Sequence, residues 1–238
     1  MTTRSGLLAT ALLAAATCAA TAARSASPGE AVALAPHRAV YDIALDKARS
    51  AAGMNGLVGR MVYELTGSEC EGFTQTMRYV TRMSGDDGTV TVSDMRSSSF
   101  EEQGGNKFRF SSSQYKNEQL AEQVSGDAWR ADGELKVELT RPQKGEKKIG
   151  SKALFPVQHS IALLQAAKAG QSIFTADLFD GSEKAEKVFA TTAAIGRKLP
   201  AGFNASLGAV KNSESLDKMP AWPVSLSYFE LGKDKQDA

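Results

Sequence analysis

Polar and apolar residues alternate along most of the chain with a period of two, as in a β-strand with one face on a core and one in water. Leu57 and Met61, for example, share a parity opposite to Arg60 and Glu64. Comparable runs predict strands at 41–46, 57–66, 73–83, 135–139, 175–183 (a strand and turn), 188–195 and 224–229.

Tight turns separate these runs. Residues 84–88 and 131–133 each contain Asp-Gly, a pair that favours two-residue hairpin turns. Many strands joined in this way predict an antiparallel sandwich, barrel or open curled sheet.

The segment 155–170 interrupts the alternation. Pro156 lies near a helix start and Gly170 follows its end, which is the usual placement of these residue types. Apolar residues occupy most of the helix circumference, so we expect the helix to be largely buried. The pattern therefore predicts a mainly β fold in which one buried helix covers or plugs the concave side of a long curved antiparallel sheet.

The first residues have the order of a secretory signal. Arg4 precedes the apolar run 6–16, and Ala20-Thr21-Ala22 fits a signal-peptidase site. We predict a cleavable signal peptide at 1–26 and a single exported domain at 27–238. The alternative is an amphipathic or buried N-terminal helix.

Charge excludes one class of partner. The 238 residues include 28 Lys and Arg and 27 Asp and Glu, a net charge of +1. A nucleic-acid binder needs a basic surplus on one face, so no nucleic-acid partner is expected. No apolar run after the signal is long enough to span a bilayer, so no transmembrane segment is expected after cleavage.

The chain has two cysteines. Ala15 and Thr17 do not fit the residues that precede a lipoprotein cysteine, so we expect Cys18 to leave with the signal. Cys70 would then be alone in an oxidising compartment. Three interpretations stay open for it: a buried apolar thiol, an intermolecular bridge, or a partner missing from this chain.

Motifs that would indicate catalysis are missing from the sequence. His37 and His159 are far apart and belong to no zinc-binding pattern, so we interpret both as structural histidines. Glu69 and Glu71 beside Cys70 would disfavour its thiolate. The segment 180–183 lacks the ligand spacing of a calcium loop and is predicted to be a turn. We therefore predict no catalytic residue, no metal site, no cofactor and no enzymatic activity.

Five stretches together resemble the envelope integrity protein B (EipB) family of alphaproteobacteria, long catalogued as a domain of unknown function. They are residues 36–45, 59–72, 155–159, 177–183 and 222–229. The positions that carry the resemblance are His37, Tyr41, Asp42, Gly59, Arg60, Gly67, His159, Asp180 and Gly181.

This resemblance implies a periplasmic β-spiral, an open-barrel-like sheet similar to that of periplasmic lipoprotein carriers, with a non-enzymatic role in cell-envelope integrity. It also implies a disulfide from Cys70 to a cysteine near the C-terminus. Members of the family continue past Phe229 with further strands and that second cysteine, so this chain is expected to lack both.

Three hypotheses follow. The first is a protein that supports the envelope by binding a periplasmic protein partner, a lipid or lipoprotein, or another apolar ligand. The second is a hydrolase or transferase acting on envelope material, which would need His37, Asp42 or Asp180 to converge in a cleft. The third is a structural envelope protein with a filled core and no pocket.

Overall fold

The computed structural model describes residues 32–46, 54–149, 152–203, 216 and 218–231. These residues belong to one compact unit, Ala31–Ala238. The predicted signal peptide at 1–26, including Cys18, lies outside the described residues.

The described residues form eleven strands, one α-helix and two short 3₁₀ helices at Gln103–Gly105 and Glu183–Ala185. The strands are β1 His37–Ala44, β2 Met54–Ser68, β3 Gly72–Gly85, β4 Val90–Glu101, β5 Lys107–Lys116, β6 Gln119–Ala131, β7 Glu134–Arg141, β8 Gly145–Ile149, β9 Ile173–Leu178, β10 Phe189–Ile195 and β11 Val224–Glu230; the helix is α1 Pro156–Lys168.

The large sheet is an antiparallel meander in which β1 to β8 follow one another in chain order. It is not closed, because β1 and β8 each pair with a single neighbour in the described part of the chain. A second sheet has the order β11-β10-β9. The prediction of a mainly β fold with an open, curled antiparallel sheet and one helix is confirmed.

The Asp-Gly turn at Asp132 and Gly133 joins β6 to β7, as the sequence predicts. Both residues have positive φ angles, 56° and 78°. A two-residue hairpin turn of this kind requires the left-handed region at both positions, which Asp and Gly tolerate best.

One face of the large sheet, here called the inner face, carries the core. Phe108, Val124 and Val137 on this face are almost completely buried. They pack against Phe155 and Phe179, which belong to the segments that flank α1 and β9. The rings of Phe108 and Phe155 stack with their centroids 5.0 Å apart. This aromatic cluster fixes the connecting segments on β5, β6 and β7.

The opposite, outer face is charged and in contact with solvent. Arg78 and Arg96 on neighbouring strands both bind the carboxylate of Asp94, at 2.8 and 2.7 Å. Arg60 binds Asp42 at 2.7 Å in the same way. These pairs agree with the polar parity of the sequence pattern.

Helix α1 packs on two sides. Val157 and Ile161 contact Leu65 and Phe73 on the inner face. On the other side of the helix, Ala166, Ala167 and Leu163 contact Phe174, Ile195 and Trp222 around the small sheet. The helix is therefore buried where it meets the two sheets, and Gln165 and Lys168 remain exposed.

The N-terminus of α1 is capped from a distant strand. Its N-cap residue, Phe155, has no side chain that can accept a hydrogen bond. The backbone N–H groups of Val157 and Gln158 instead donate to the carboxylate of Glu101, at 2.8 and 3.0 Å. Burial raises the pKa of Glu101 to about 7 although these two hydrogen bonds act to lower it.

His159 is buried and holds α1 against the small sheet. The Thr191 hydroxyl donates its single proton to the carbonyl oxygen of Ala176 at 2.7 Å. It must therefore accept the hydrogen bond from Nε2 of His159, at 2.8 Å. Burial lowers the pKa of His159, so the ring is neutral with its proton on Nε2. The geometry agrees with the interpretation of His159 as a structural histidine.

Candidate functional site

The inner face is covered over only part of its length, and the uncovered part forms a groove of about 390 Å³. We call it the inner-face groove. Its volume lies within the roughly 300–1,000 Å³ range typical of ligand sites. It is lined by Tyr63, Gln75, Thr76, Met77, Met95, Ser97, Ser98, Ser99, Phe110, Ser111, Ser112, Ser113, Gln114, Glu122, Pro156, Asp180, Gly181, Ser182 and Glu183.

Strand register places the main lining side chains in rows across the sheet. Tyr63 on β2 lies opposite Met77 on β3, which in turn lies opposite Ser97 on β4. Ser97 lies opposite Ser112 on β5. Because side chains alternate between the two faces of a strand, these four residues share the inner face with the buried Leu65.

Hydroxyl groups form the floor of the groove. Ser97, Ser99 and Ser112 are half-buried. In the described part of the chain, their hydroxyls have no side-chain hydrogen-bond partner within the protein. The hydroxyl of Tyr63, by contrast, accepts a hydrogen bond from Nε2 of Gln75 at 2.8 Å, and burial raises its pKa.

Met77, Met95 and Phe110 supply the apolar part of the lining. Methionine side chains are flexible and polarisable, and they adapt to ligands of different shapes. The groove is therefore amphipathic. It is neither the filled core of the third hypothesis nor a purely apolar cavity.

The rim of the groove on the small-sheet side is the loop from Asp180 to Ala185. Gly181 has a φ angle of 74°, and a Cβ atom at this position would lie 2.5 Å from ring carbons of Phe110. Glu183, Lys184 and Ala185 follow with φ angles of 49°, 58° and 52°. Three successive non-glycine residues in the left-handed region are rare, and such strain concentrates at functional sites.

Buried and charged contacts hold this loop in place. Ala185 is completely buried in the aromatic cluster. Lys187 binds Glu183 at 3.3 Å and Glu230 on β11 at 2.7 Å. The backbone N–H of Ser182 donates to Oδ1 of Asp180 at 2.9 Å, which closes the predicted turn. The loop thus presents two carboxylates to the groove from a fixed backbone.

A second cleft, of about 540 Å³, lies beside α1 and the β2–β3 turn. Its lining includes Glu69, Phe73 and Ile161. Its buried carboxylate, Glu101, is already occupied by the N-terminus of α1. The inner-face groove, with its unpartnered hydroxyls, is therefore the better candidate for a binding site.

The residues expected to converge in an enzyme are not brought together. His37 and Asp42 are five residues apart on β1, which separates them by about 17 Å, and their side chains point to opposite faces. Asp42 is paired with Arg60 on the outer face. Asp180 lies on the rim of the groove.

The other positions on which the resemblance rests are spread over the sheet. Tyr41 is half exposed on the inner side of β1, opposite Met61. The ring of His37 lies 5.5 Å from that of Tyr63, next to the groove. Gly59 lies in β2 where a Cβ atom would come 2.5 Å from the carbonyl oxygen of Val80. Gly67 lies at the end of β2, close to the backbone of Gly72.

Cys70 lies in the turn between β2 and β3 and is exposed. The interpretation of Cys70 as a buried apolar thiol is therefore wrong. A three-residue turn between two long strands offers no core into which the side chain could pack. In the described part of the chain Cys70 forms no disulfide.

Two kinds of feature are absent from the residues that the structure describes. No group of three or more His, Cys, Asp or Glu side chains is arranged to hold a metal ion. Within the same residues, no helix has both the length and the apolar character needed to cross a bilayer.

The sequence pattern did not identify the groove. Its floor comes from Ser97–Ser99 and Ser111–Ser113, where serines occupy both faces and the alternation of polar and apolar residues disappears. The sequence feature that indicates the groove is a run of three serines repeated on two consecutive strands.

Comparisons with known proteins place these features in one family. The EipB-like family model matches residues 28–238. Cell envelope integrity protein EipB of Brucella abortus (strain 2308) is 38% identical over 220 residues, which cover 90% of this chain and 75% of that protein. A crystal structure from Brucella abortus, described as a β-barrel-like protein of a domain of unknown function, matches with a TM-score of 0.75 and 38% identity, over 85% of this chain and 84% of the other.

Proposed function

The chain belongs to the EipB-like family, and from this premise we propose that it is an exported periplasmic protein that supports cell-envelope integrity by binding a ligand or partner in the inner-face groove. The observation that carries the proposal is the uncovered part of the inner face. There, unpartnered hydroxyls and flexible methionines line a volume of about 390 Å³.

Export rests on the predicted signal peptide at 1–26 and on the name of the relative. Fractionation of the bacterium that encodes the chain tests it. We expect osmotic shock to release the protein, with an N-terminus near residue 27. Retention in the cytoplasm with Met1 intact would contradict the proposal.

The role of the groove is tested by filling it. Ser112→Trp places a large side chain on the groove floor from the middle of β5. Thr66→Trp is the matched control, because Thr66 is exposed on the outer face of β2 and lies outside the groove. Both variants should fold with similar melting temperatures.

Each variant is then expressed in a strain that lacks the gene, and growth on a membrane-active detergent is measured. We expect Thr66→Trp to restore resistance and Ser112→Trp to fail. Full resistance with Ser112→Trp, at equal protein levels, would contradict a role for the groove.

The proposal is non-enzymatic. Two observations support it. The relative from Brucella abortus is named for cell-envelope integrity, and His37, Asp42 and Asp180 lie apart in the structure.

A further inference from the structure

We infer that the inner-face groove binds a short, extended segment of a partner protein that carries Lys or Arg, and not an anionic lipid. This inference rests on the proposed function, because it names the class of ligand for the same groove.

The charge of the lining is the first argument. Three carboxylates line the groove, those of Glu122, Asp180 and Glu183, and the described lining contains no Lys, Arg or His. The whole chain has a net charge of only +1, so this local excess of negative charge is a property of the groove. A cleft lined by charges of one sign focuses the field and attracts ligands of the opposite sign.

Two of these carboxylates are available to a ligand. Glu183 is bound by Lys187 at 3.3 Å. In the described part of the chain, neither Glu122 nor Asp180 has a basic side chain within ion-pair distance. A phosphate or fatty-acid carboxylate entering the groove would meet both of them as like charges, whereas a lysine or arginine would be attracted.

The hydroxyl floor is the second argument. Ser97, Ser99 and Ser112 present donors and acceptors that the protein leaves unpaired. A hydrocarbon chain lying on this floor would displace water from the hydroxyls without forming hydrogen bonds in its place, which is unfavourable. The N–H and C=O groups of an extended peptide would replace that water, and its apolar side chains would meet Met77 and Met95.

The rim loop is the third argument. Asp180 precedes a left-handed turn that is fixed by the contact of Gly181 with Phe110 and by the burial of Ala185. A carboxylate on a fixed backbone requires little ordering when a ligand binds, and this preorganisation favours a specific ion pair.

The test uses the full exported chain and three probes. They are a fluorescent hexapeptide of sequence Lys-Leu-Lys-Leu-Lys-Leu, its counterpart with Glu in place of Lys, and vesicles of phosphatidylglycerol. Binding is followed by fluorescence anisotropy or sedimentation, and by NMR of isotope-labelled methionine methyl groups. Met77 and Met95 line the groove, and the exposed Met219 serves as an internal reference.

We expect the Lys peptide to shift the Met77 and Met95 signals and to leave Met219 unchanged. The double variant Glu122→Gln/Asp180→Asn should weaken its binding by about three- to tenfold, since each partly exposed ion pair contributes modestly. The control Glu138→Gln/Glu146→Gln removes the same charge from β7 and β8, outside the groove, and should bind the peptide as the unmodified chain does.

Two results would overturn the inference. One is that the Glu peptide or the vesicles shift Met77 and Met95 as strongly as the Lys peptide does. The other is that none of the three probes shifts these signals. The proposed function has separate tests: it fails if the protein stays in the cytoplasm with Met1 intact, or if Ser112→Trp restores detergent resistance.

Discussion

The carboxylate of Glu101 on β4 accepts a hydrogen bond from the backbone N–H of Val157 on α1, at 2.8 Å, across 56 positions of the chain. Its other oxygen accepts from the next N–H, that of Gln158. Helix N-termini have backbone donors without intrahelical partners, and a carboxylate there is also favoured by the helix dipole. Glu101 therefore fixes the start of the helix to the large sheet.

Removing this cap should destabilise the fold. Glu101→Ala leaves the buried N–H of Val157 and the half-buried N–H of Gln158 without an acceptor. We expect it to lower the free energy of unfolding by about 1–3 kcal/mol. The adjacent Glu102→Ala is the control, because Glu102 is exposed. Urea unfolding measures both variants, and equal midpoints would contradict the capping role.

The protonation of Glu101 should make stability depend on pH. Its pKa in the folded protein, about 7, lies above the ordinary value of 4.5 because of burial. The folded state therefore binds this proton more tightly than the unfolded state. The resulting stabilisation is complete below pH 4.5 and is lost as the pH rises to about 7.

The measurement compares the unmodified chain with Glu101→Gln, which cannot ionise at this position. We expect the stability of the unmodified chain, relative to the variant, to fall between pH 4.5 and pH 7 and to level off above that. His159 is present in both proteins, so its titration cancels to first order. A difference that does not change with pH would contradict the assignment.

Gly181 should resist substitution more than an ordinary turn glycine. In Gly133→Ala the left-handed backbone alone should cost about 1–2 kcal/mol, because nothing lies within 4 Å of the new Cβ. In Gly181→Ala the Cβ also overlaps the ring of Phe110, and we expect about 1–3 kcal/mol more.

Denaturant unfolding of the two alanine variants measures this difference directly. Their φ angles are 74° and 78°, so the backbone contribution is nearly the same. Equal losses would show that the rim loop is not packed tightly on Phe110.

The hydroxyl of Thr191 should be needed for the position of His159. Thr191→Val leaves the Nε2–H of the buried His159 without its acceptor, at an expected cost of about 1–3 kcal/mol. Thr192→Val, the neighbouring position on β10, is the control. Imidazole nitrogen NMR should show the proton of His159 on Nε2, and a proton on Nδ1 would contradict the hydrogen-bond direction.

Local features were predictable because local chemistry determines them. The parity of Leu57, Met61 and Leu65 places these residues on the inner side of β2, and Asp132-Gly133 forms the expected turn. Pro156 begins α1 as the first helical residue. In each case the structure is determined by residues close together in the chain, through the alternation of hydrophobic residues or through a preferred backbone φ angle.

The cap and the groove could not be predicted in this way. Glu101 ends a strand and has the sequence context of a solvent-exposed residue; only the docking of α1 buries it. The groove exists because α1 and the small sheet cover one part of the inner face and leave Ser97 and Ser112 open. Which part is covered depends on contacts between segments that are far apart in the chain.

The chain-order pairing of β1 to β8 also has a consequence for how the protein assembles. Each hairpin of this sheet closes a short loop, whereas the contact of Glu101 with Val157 closes a long one and costs more chain entropy. We therefore expect the hairpins to form early and the helix and rim loop to dock late. The groove would then be the last part of the fold to appear and the first to be lost when the protein begins to unfold.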